Sequence, residues 1–324
     1  MWRDTDERGR SVRRERVVMA NVQAMEYRNT DAEYREICDF LDILSAQDAC
    51  AHWESGRMNF WRHGVHGDKD PDDRFFRDNA RIWRGDGGRI VGLCISEYGQ
   101  KDLFVEILPA YRAIYPEVFR WVEATWAAGR DAVEIDVFAD DAEKIAILTD
   151  RGYGFLRHFE NKRTYDLQQT DLGYALDEGF TIRAFSETED FAGRVALVRS
   201  AFENPTYSEG RLRSLVSSPD HVDDLDLMVV SPDGTPVSYC VGWRDRTRED
   251  AGFIEPVGTH AAYRRRVFAR AVIRECFARM RTAGIRTVEI ASRAEPAVAN
   301  LLYDSLSPTS KRKVHKYGKT VRPA

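Results

Sequence analysis

An internal repeat constrains the fold of this chain more than any other feature of its sequence. Residues 88–94 (GRIVGLC) are similar to residues 234–240 (GTPVSYC), residues 110–112 and 262–264 both read Ala-Tyr-Arg, and residues 132–135 (AVEI) are similar to residues 287–290 (TVEI). The shift is about 150 residues in each case, which is the length of one domain. The sequence therefore predicts two similar halves, each with the order strand, strand, helix, strand, helix.

The same pattern predicts a fold class and domain bounds. Short apolar strands that alternate with amphipathic helices are typical of an α/β (α+β) architecture. The length of 324 residues suits two domains. We expect a charged N-terminal tail over residues 1–24, a first domain over residues 25–170 and a second domain over residues 178–324, with a polar boundary that begins at Gln168.

The clearest helix of the sequence follows Arg264. Its apolar residues recur at helical spacing and form a single stripe, which consists of Ala269, Val272, Ile273, Cys276, Phe277 and Met280. Gly284 is a natural end for this helix. The pattern predicts a helix that packs one face against the core of the second half.

Composition and charge exclude several classes of protein. The net charge of -5 disfavours nucleic acid as a partner, and no apolar run has the roughly 18 to 20 residues that a membrane span needs. The five cysteines form no CxxC pair, and His52, His63 and His66 are irregularly spaced. We therefore expect neither a disulfide framework nor a metal site. These features favour a cytoplasmic protein and leave its oligomeric state open between monomer and homodimer.

Residues 252–271 combine a strand, a short loop and the start of the predicted helix. Arg264 and Ala269 fill the first and last positions of the pattern [Q/R]-x-x-G-x-[G/A], and Val267 stands where a glycine is usual. The segment resembles the acetyl-coenzyme A motif of the GNAT superfamily. In that family the free N–H groups of the helix N-terminus bind the coenzyme pyrophosphate. A left-handed turn at Val267 would be costly, whereas a right-handed turn would accept it.

A second motif follows in residues 299–306 (ANLLYDSL), which are similar to the A-x-x-L-Y-x-x-L-G-F helix of the same family, with Ser307 and Pro308 in place of Gly-Phe. The resemblance implies that Tyr303 protonates the departing thiolate and that Asn300 bonds the pantetheine arm. It also implies a base on the preceding strand, for which Glu255 is the first candidate and His260 the second. The implied coenzyme-binding residues are Val257, Gly258, Thr259, Arg264, Arg265, Arg266, Val267, Phe268, Ala269, Arg270 and Asn300.

The first half lacks these features at the matching positions. Bulky residues follow Arg112, Pro116 has no N–H group, and Leu148 stands opposite Tyr303. The resemblance therefore implies two tandem GNAT-like domains, each a twisted mixed β-sheet flanked by helices. We expect the first domain to be degenerate and the second to hold acetyl-coenzyme A.

The expected reaction is direct transfer of an acetyl group from acetyl-coenzyme A, as cosubstrate, to a primary amine of a small molecule, without a metal. Two alternatives are a non-catalytic binding or regulatory protein with this fold, and a tRNA-dependent aminoacyl transferase of tandem GNAT-like fold. The acidic residues Glu203, Asp223, Asp224 and Asp226 either line a cleft for a cationic amine or lie in surface loops. The acceptor and the acyl chain length stay open.

Overall fold

The structure, a computed structural model, describes residues 21–321. Its strands are β1 (Gln23–Glu26), β2 (Ala80–Arg84), β3 (Ile90–Ile95), β4 (Asp102–Ile107), β5 (Ala132–Phe138), β6 (Gly154–Asp166), β7 (Thr181–Ala184), β8 (Asp226–Val230), β9 (Pro236–Arg244), β10 (Ala251–Thr259), β11 (Thr287–Arg293) and β12 (Ser310–Thr320). Its α-helices are α1 (Asp31–Gln47), α2 (Ser55–Asn59), α3 (Arg74–Asn79), α4 (Tyr115–Trp121), α5 (Ala142–Asp150), α6 (Phe191–Phe202), α7 (Glu209–Val216), α8 (Phe268–Thr282) and α9 (Ala297–Asp304). Single π-helical segments continue α2 over Phe60–Val65 and α4 over Val122–Trp126.

All twelve strands lie in one sheet, in the order β1-β2-β3-β4-β5-β12-β6-β11-β10-β9-β8-β7. The two halves exchange their last strands: β12 pairs with β5 of the first half, and β6 pairs with β11 of the second half. β6 and β12 also pair with each other, antiparallel, at the centre of the sheet. Each half is therefore completed by a strand of the other.

The two halves repeat the same architecture, which confirms the predicted fold class. The repeated segments fall on equivalent elements. Residues 88–94 lead into β3, and residues 234–240 lead into β9. Each of the two Ala-Tyr-Arg segments overlaps a short 3₁₀ turn. Ser307 has a φ of 59°, and Gly152 occupies the matching turn of the first half with a φ of 83°. The left-handed turn after each of the helices α5 and α9 is thus kept although Ser307 is not a glycine.

Strands β10 and β11 separate soon after they start to pair. Their parallel register covers three residue pairs, from Ala251 opposite Thr287 to Phe253 opposite Glu289. In the first half β4 and β5 pair over only two positions, beginning with Asp102 opposite Glu134. Each half therefore opens into a wedge between a parallel pair of strands, and the wedge of the second half lies beside the N-terminus of α8.

Helix α8 packs its predicted apolar stripe into the core of the second half. Val272, Ile273, Cys276, Phe277 and Met280 are buried, and the helix begins at Phe268, which is also buried. The buried residues of this face lie in one cluster with those of β8, β9 and β11. Burial of this stripe fixes the direction in which the N-terminus of α8 points.

No helix or strand lies between the end of β6 at Asp166 and the start of β7 at Thr181. The predicted boundary between residues 170 and 178 falls in this segment. It separates the two halves along the chain, although their strands pair with each other in one sheet. The predicted charged tail, residues 1–24, lies outside the described residues except for its last four positions.

The first half also contacts the second half through α2 and its π-helical continuation. Asn59 donates a hydrogen bond to the hydroxyl of Ser218 (3.0 Å), and Asp68 pairs with Arg211 of α7 (2.9 Å). The ring of Phe253 on β10 occupies the space that a side chain at Gly56 would need. These contacts hold α2 against the wedge of the second half.

The strand exchange predicts different behaviour for two fragments of the second half. A fragment of residues 178–321 lacks β6, so β11 has an unpaired edge and β12 has no neighbour. We expect it to be insoluble or to show no cooperative thermal unfolding by circular dichroism. A fragment of residues 152–321 retains β6 and is expected to unfold cooperatively. Equal behaviour of the two fragments would contradict the assigned role of β6.

Candidate active site

The loop between β10 and α8 is right-handed at Val267 and left-handed at Arg265. Val267 has φ −72° and ψ −3°, whereas Arg265 has a φ of 62°. The β-branched residue is therefore accommodated without backbone strain, and Arg265 takes the conformation that favours glycine. Val267 is 46% exposed, so its side chain does not fill the loop.

The arginines of this loop differ in their partners. Arg264 donates to the carbonyl oxygen of Ala201 (2.9 Å), and Arg266 pairs with Asp177 and stacks on the ring of Phe268 (4.5 Å). Within residues 21–321 the side chains of Arg265 and Arg270 form no ion pair, and both are exposed. Arg265 and Arg270 thus supply free positive charge beside the first turn of α8.

The first turn of α8 offers an anion site. Val267 stands at the N-cap and makes no side-chain cap hydrogen bond, and the first residues of the helix are Phe268, Ala269 and Arg270. Their N–H groups have no intrahelical acceptor, because the first N–H groups of any α-helix lack one. With the positive end of the helix dipole, these donors suit a phosphate group.

The predicted strand residues Val257, Gly258 and Thr259 follow a bulge in β10. The register against β9 shifts between Ile254 and Val257, and beyond Phe253 the described residues give β10 no partner on its β11 side. A side chain at Gly258 would meet the ring of Tyr239 at 2.6 Å. Backbone groups near Val257 are thus available to a ligand that enters the wedge.

Tyr303 lies on the other side of this wedge. Tyr303 is on α9, and only 7% of the residue is exposed. Its backbone carbonyl oxygen accepts a hydrogen bond from the hydroxyl of Tyr165 (2.9 Å). Burial, reinforced by the nearby charge of Glu255, raises the pKa of Tyr303 well above its usual range. The phenol is therefore protonated at neutral pH and can act as an acid.

Asn300 is fully used by contacts within the protein. Its amide nitrogen donates to the carbonyl oxygens of Arg293 (2.8 Å) and Ala294 (3.0 Å), and its amide oxygen accepts from Arg163 (2.7 Å). The guanidinium of Arg163, on the exchanged strand β6, also pairs with Asp304 (2.6 Å). In this arrangement Asn300 anchors α9 to β6, and both of its amide hydrogens are engaged.

Glu255 borders a small polar cavity between the two halves. The cavity measures about 40 Å³ and is lined by His52, Glu54, Arg57, Glu160, Lys162, Phe253, Ile254, Glu255, Glu289 and Ala291. Burial raises the pKa of Glu255 to about 7; the charge of Arg57 opposes this shift, and Glu97, Glu160 and Glu54 add to it. A carboxylate with this pKa can take up a proton near neutral pH.

In the first half the corresponding wedge is filled by a lysine. Lys144 on α5 is buried, and its ammonium donates to the carbonyl oxygen of Val105 (2.8 Å), beside the buried carboxyl group of Glu106. At the shifts that relate the halves, Val105 matches Val257 and Lys144 matches Ala299. The Lys144 side chain thus occupies, in the first half, the strand edge that is free in the second half.

The remaining candidates from the sequence do not contribute to this site. His260 accepts a hydrogen bond from the N–H of Ala262 (3.2 Å) and so caps a 3₁₀ turn. Asp226 is buried in an ion pair with Arg194 (2.9 Å), Glu203 lines a separate open depression, and Asp223 and Asp224 are exposed. The interpretation of these acidic residues as lining a cleft is therefore wrong for Asp226, and it stays a prediction for Glu203, Asp223 and Asp224.

Five of the cavity residues come from the first half and were not predicted. They are His52, Glu54, Arg57, Glu160 and Lys162. No motif marks them, because they reach the second half only through the strand exchange and the position of α2. Within residues 21–321 there is no cluster of three or more metal-ligating side chains, and none of the helices is long and apolar enough to span a bilayer.

Comparison with known proteins assigns the second half to a family. The sequence profile described as the acetyltransferase (GNAT) family matches residues 172–305, which include β7 to β11 and α9. Residues 172–305 are therefore similar to the GNAT acetyltransferase family. No curated protein sequence matches the chain at a significant level.

Solved GNAT structures share the fold of the whole chain. A GCN5-related N-acetyltransferase from Sphaerobacter thermophilus is 20% identical with a TM-score of 0.61, over 94% of this chain and 96% of that one. A tandem GNAT protein from the clavulanic acid biosynthesis pathway is 13% identical with a TM-score of 0.64, over 94% and 100%. A GNAT-family acetyltransferase from Colwellia psychrerythraea is 11% identical with a TM-score of 0.60, over 92% and 100%. The fold of these structures therefore extends over both halves of the chain.

The loop geometry predicts opposite effects of two glycine substitutions on stability. Arg265→Gly removes a left-handed non-glycine residue and is expected to raise the free energy of unfolding by about 1 kcal/mol. Val267→Gly adds backbone freedom at a right-handed position and is expected to lower it by about 0.5 to 1 kcal/mol. Urea denaturation of the two variants and the wild type measures both. Stabilisation by Val267→Gly would contradict the assigned backbone conformation.

Proposed function

We propose that this GNAT protein is an N-acetyltransferase that transfers an acetyl group from acetyl-coenzyme A to a primary amine of a small molecule, and that only its second half is active. The observation that carries the proposal is the convergence of three features on one wedge. These are the free N-terminus of α8 with Arg265 and Arg270, the open edge of β10 near Val257, and the buried side chains of Glu255 and Tyr303. In the first half Lys144 fills the matching wedge, and Leu148 stands at the position of Tyr303.

In the proposed binding mode the coenzyme phosphates lie at the N-terminus of α8. The N–H groups of Val267, Phe268, Ala269 and Arg270 face them, and Arg265 adds charge from the exposed side of the loop. The pantetheine arm follows the edge of β10 along Val257, Gly258 and Thr259, where β11 has moved away. The thioester then lies between Glu255 and Tyr303.

The proposed chemistry is one direct displacement. Glu255 takes a proton from the substrate ammonium, directly or through a water molecule, and the neutral amine attacks the thioester carbonyl carbon. A backbone N–H group near Val257 stabilises the negative oxygen of the tetrahedral intermediate. The carbon–sulfur bond then breaks, the departing thiolate takes the proton of the Tyr303 hydroxyl group, and the positively charged amide nitrogen releases its extra proton to the Tyr303 phenolate. An amide and free coenzyme A are the products.

Binding of the cosubstrate is the first test. Titration calorimetry with acetyl-coenzyme A is expected to show one site per chain, because Lys144 fills the wedge of the first half. Arg265→Ala is expected to weaken binding about tenfold through loss of a phosphate-facing charge. Arg120→Ala, an exposed arginine of the first half, is the matched control and is expected to bind like the wild type. Absence of binding would overturn the proposal in favour of a non-catalytic GNAT-fold protein.

The raised pKa of Glu255 predicts a pH dependence. The base must be ionised, so kcat/KM is expected to rise with pH and to level off above about 7. Glu255→Gln is expected to lose this acidic limb and to lower kcat by about 10²- to 10⁴-fold. Tyr303→Phe is expected to lower kcat and keep the limb. An unchanged limb in Glu255→Gln would exclude Glu255 as the base.

Stability measurements separate this effect from misfolding. The pKa of Glu255 is higher in the folded state, at about 7, than the ordinary value of 4.5. The folded state therefore loses stability as the pH rises between these two values, because the unfolded state releases the proton first. At pH 8 Glu255→Gln is expected to be more stable than the wild type, by about 1 to 2 kcal/mol. Thermal unfolding at pH 8 checks that the inactive variant is folded.

A further inference from the structure

The cavity beside Glu255 has an excess of negative charge in its walls. Four of its lining residues are carboxylates, namely Glu54, Glu160, Glu255 and Glu289, and only Arg57 and Lys162 are permanent cations. Burial opposes ionisation of Glu160, but the hydrogen bond from His52 and the charges of Arg57 and Lys162 lower its pKa. With His52 neutral, the walls carry two more negative than positive charges.

Lys162 is engaged by two carboxylates and Arg57 by one, with the Nε of Arg57 left without a partner in the described part of the chain, and neither cation pairs with Glu255. Lys162 pairs with both Glu54 and Glu289, the latter at 2.8 Å, and Arg57 lies 3.5 Å from Glu97 while its guanidinium stacks on Trp53. Within residues 21–321 the carboxylate of Glu255 has no ion-pair partner. Buried negative charge without a partner is costly, so the cavity favours a cationic guest.

His52 provides a second, independent indication of a guest with N–H donors. This residue is 5% exposed, and its Nε2 lies 3.2 Å from the carboxylate of Glu160. With Nε2–H donating to the ionised Glu160, Nδ1 carries a lone pair, and Nδ1 is buried without a hydrogen-bond partner among the described residues. An ammonium group in the cavity would supply the missing donor.

In the first half, the matching group of charged residues is neutral overall. There Glu134, the counterpart of Glu289, pairs with Lys101 (2.6 Å) and Arg157 (2.7 Å). Lys316, the counterpart of Lys162, pairs with Asp102 and with Asp136 (2.8 Å). Three cations thus face three carboxylates. The second half keeps the Lys–Glu pair, whereas Phe253 and Ala291 stand where the first half has Asp102 and Asp136, so the charges around Glu255 come from other residues.

We propose that this cavity receives the acceptor and that the acceptor is a slender aliphatic diamine with two ammonium groups. The inference rests on the proposed acetyltransferase function and names its substrate class. Two ammonium groups match the two excess negative charges. After Glu255 takes a proton from the reacting ammonium, the walls keep one excess negative charge, and the second ammonium still balances it.

The shape of the cavity fits this class. A volume of about 40 Å³ holds about three water molecules, so it admits one ammonium-bearing end of an unbranched chain and excludes a ring. Phe253, Ile254 and Ala291 supply apolar contacts for methylene groups between the charged residues. The product amide has lost one positive charge, so the cavity holds it less strongly than the substrate.

Three acceptors with the same five-carbon skeleton test the proposal. Cadaverine has two ammonium groups, pentylamine has one, and δ-aminovalerate has one ammonium and one carboxylate. With acetyl-coenzyme A and wild-type protein, kcat/KM is expected to fall in this order, by about tenfold or more at each step. Release of the coenzyme thiol and mass spectrometry of the amide measure it.

Substitution of a cavity carboxylate tests where the preference originates. Glu289→Gln removes one negative charge and is expected to reduce the ratio of kcat/KM for cadaverine to that for pentylamine several-fold, with less effect on pentylamine itself. The control Glu209→Gln removes an exposed carboxylate of α7 outside the cavity and is expected to leave the ratio unchanged.

The outcomes distinguish the two levels of the proposal. Equal kcat/KM for the three amines, or a preference for δ-aminovalerate, overturns the diamine assignment while the acetyltransferase function stands. Binding of acetyl-coenzyme A without acetylation of any amine overturns both the acceptor class and the catalytic role. The comparison of the three acceptors uses the wild-type protein alone and does not depend on the folding of a variant.

Discussion

The antiparallel pairing of β6 with β12 is the contact on which the other features depend. These two strands are each the last strand of their own half, and each completes the sheet of the other. The exchange brings Arg163 and Lys162 of the first half against α9 and β11 of the second half. Without it, Asn300 would lose its main partner and the polar cavity would lose one wall. The active half is therefore not a separable unit, although it is a contiguous stretch of sequence.

The two halves differ mainly in what fills their wedges. In the first half Lys144 reaches the carbonyl oxygen of Val105, and a balanced set of ion pairs fills the adjoining space. In the second half Ala299 stands at the position of Lys144, so the edge of β10 is free. One buried cation is enough to make this difference, because a buried ammonium needs partners and takes the strand carbonyl as one of them. Both halves contain the wedge, and a side chain fills the wedge of the first half only.

The sequence predicted the elements well and the site only in part. The repeat, the stripe of α8 and the fold class depend on local periodicity, and the structure reproduces them. Val267 shows the limit of motif reasoning, because the conformation that needs a glycine lies at Arg265 instead. Asn300 matches the motif position, yet contacts from the exchanged strand occupy its amide. Arg57 and Glu160 could not be predicted, since their distance from Glu255 is set by strand order and not by spacing along the chain.

The position of β12 at the end of the described chain also affects how the protein folds. Strand β5 pairs with residues that follow it by nearly the whole length of the second half. During synthesis the first half therefore exposes an open strand edge until β12 has left the ribosome, and open edges favour pairing with other chains. Contacts between residues so far apart also close slowly. The sheet of the first half is therefore completed only after β12 of the second half is in place.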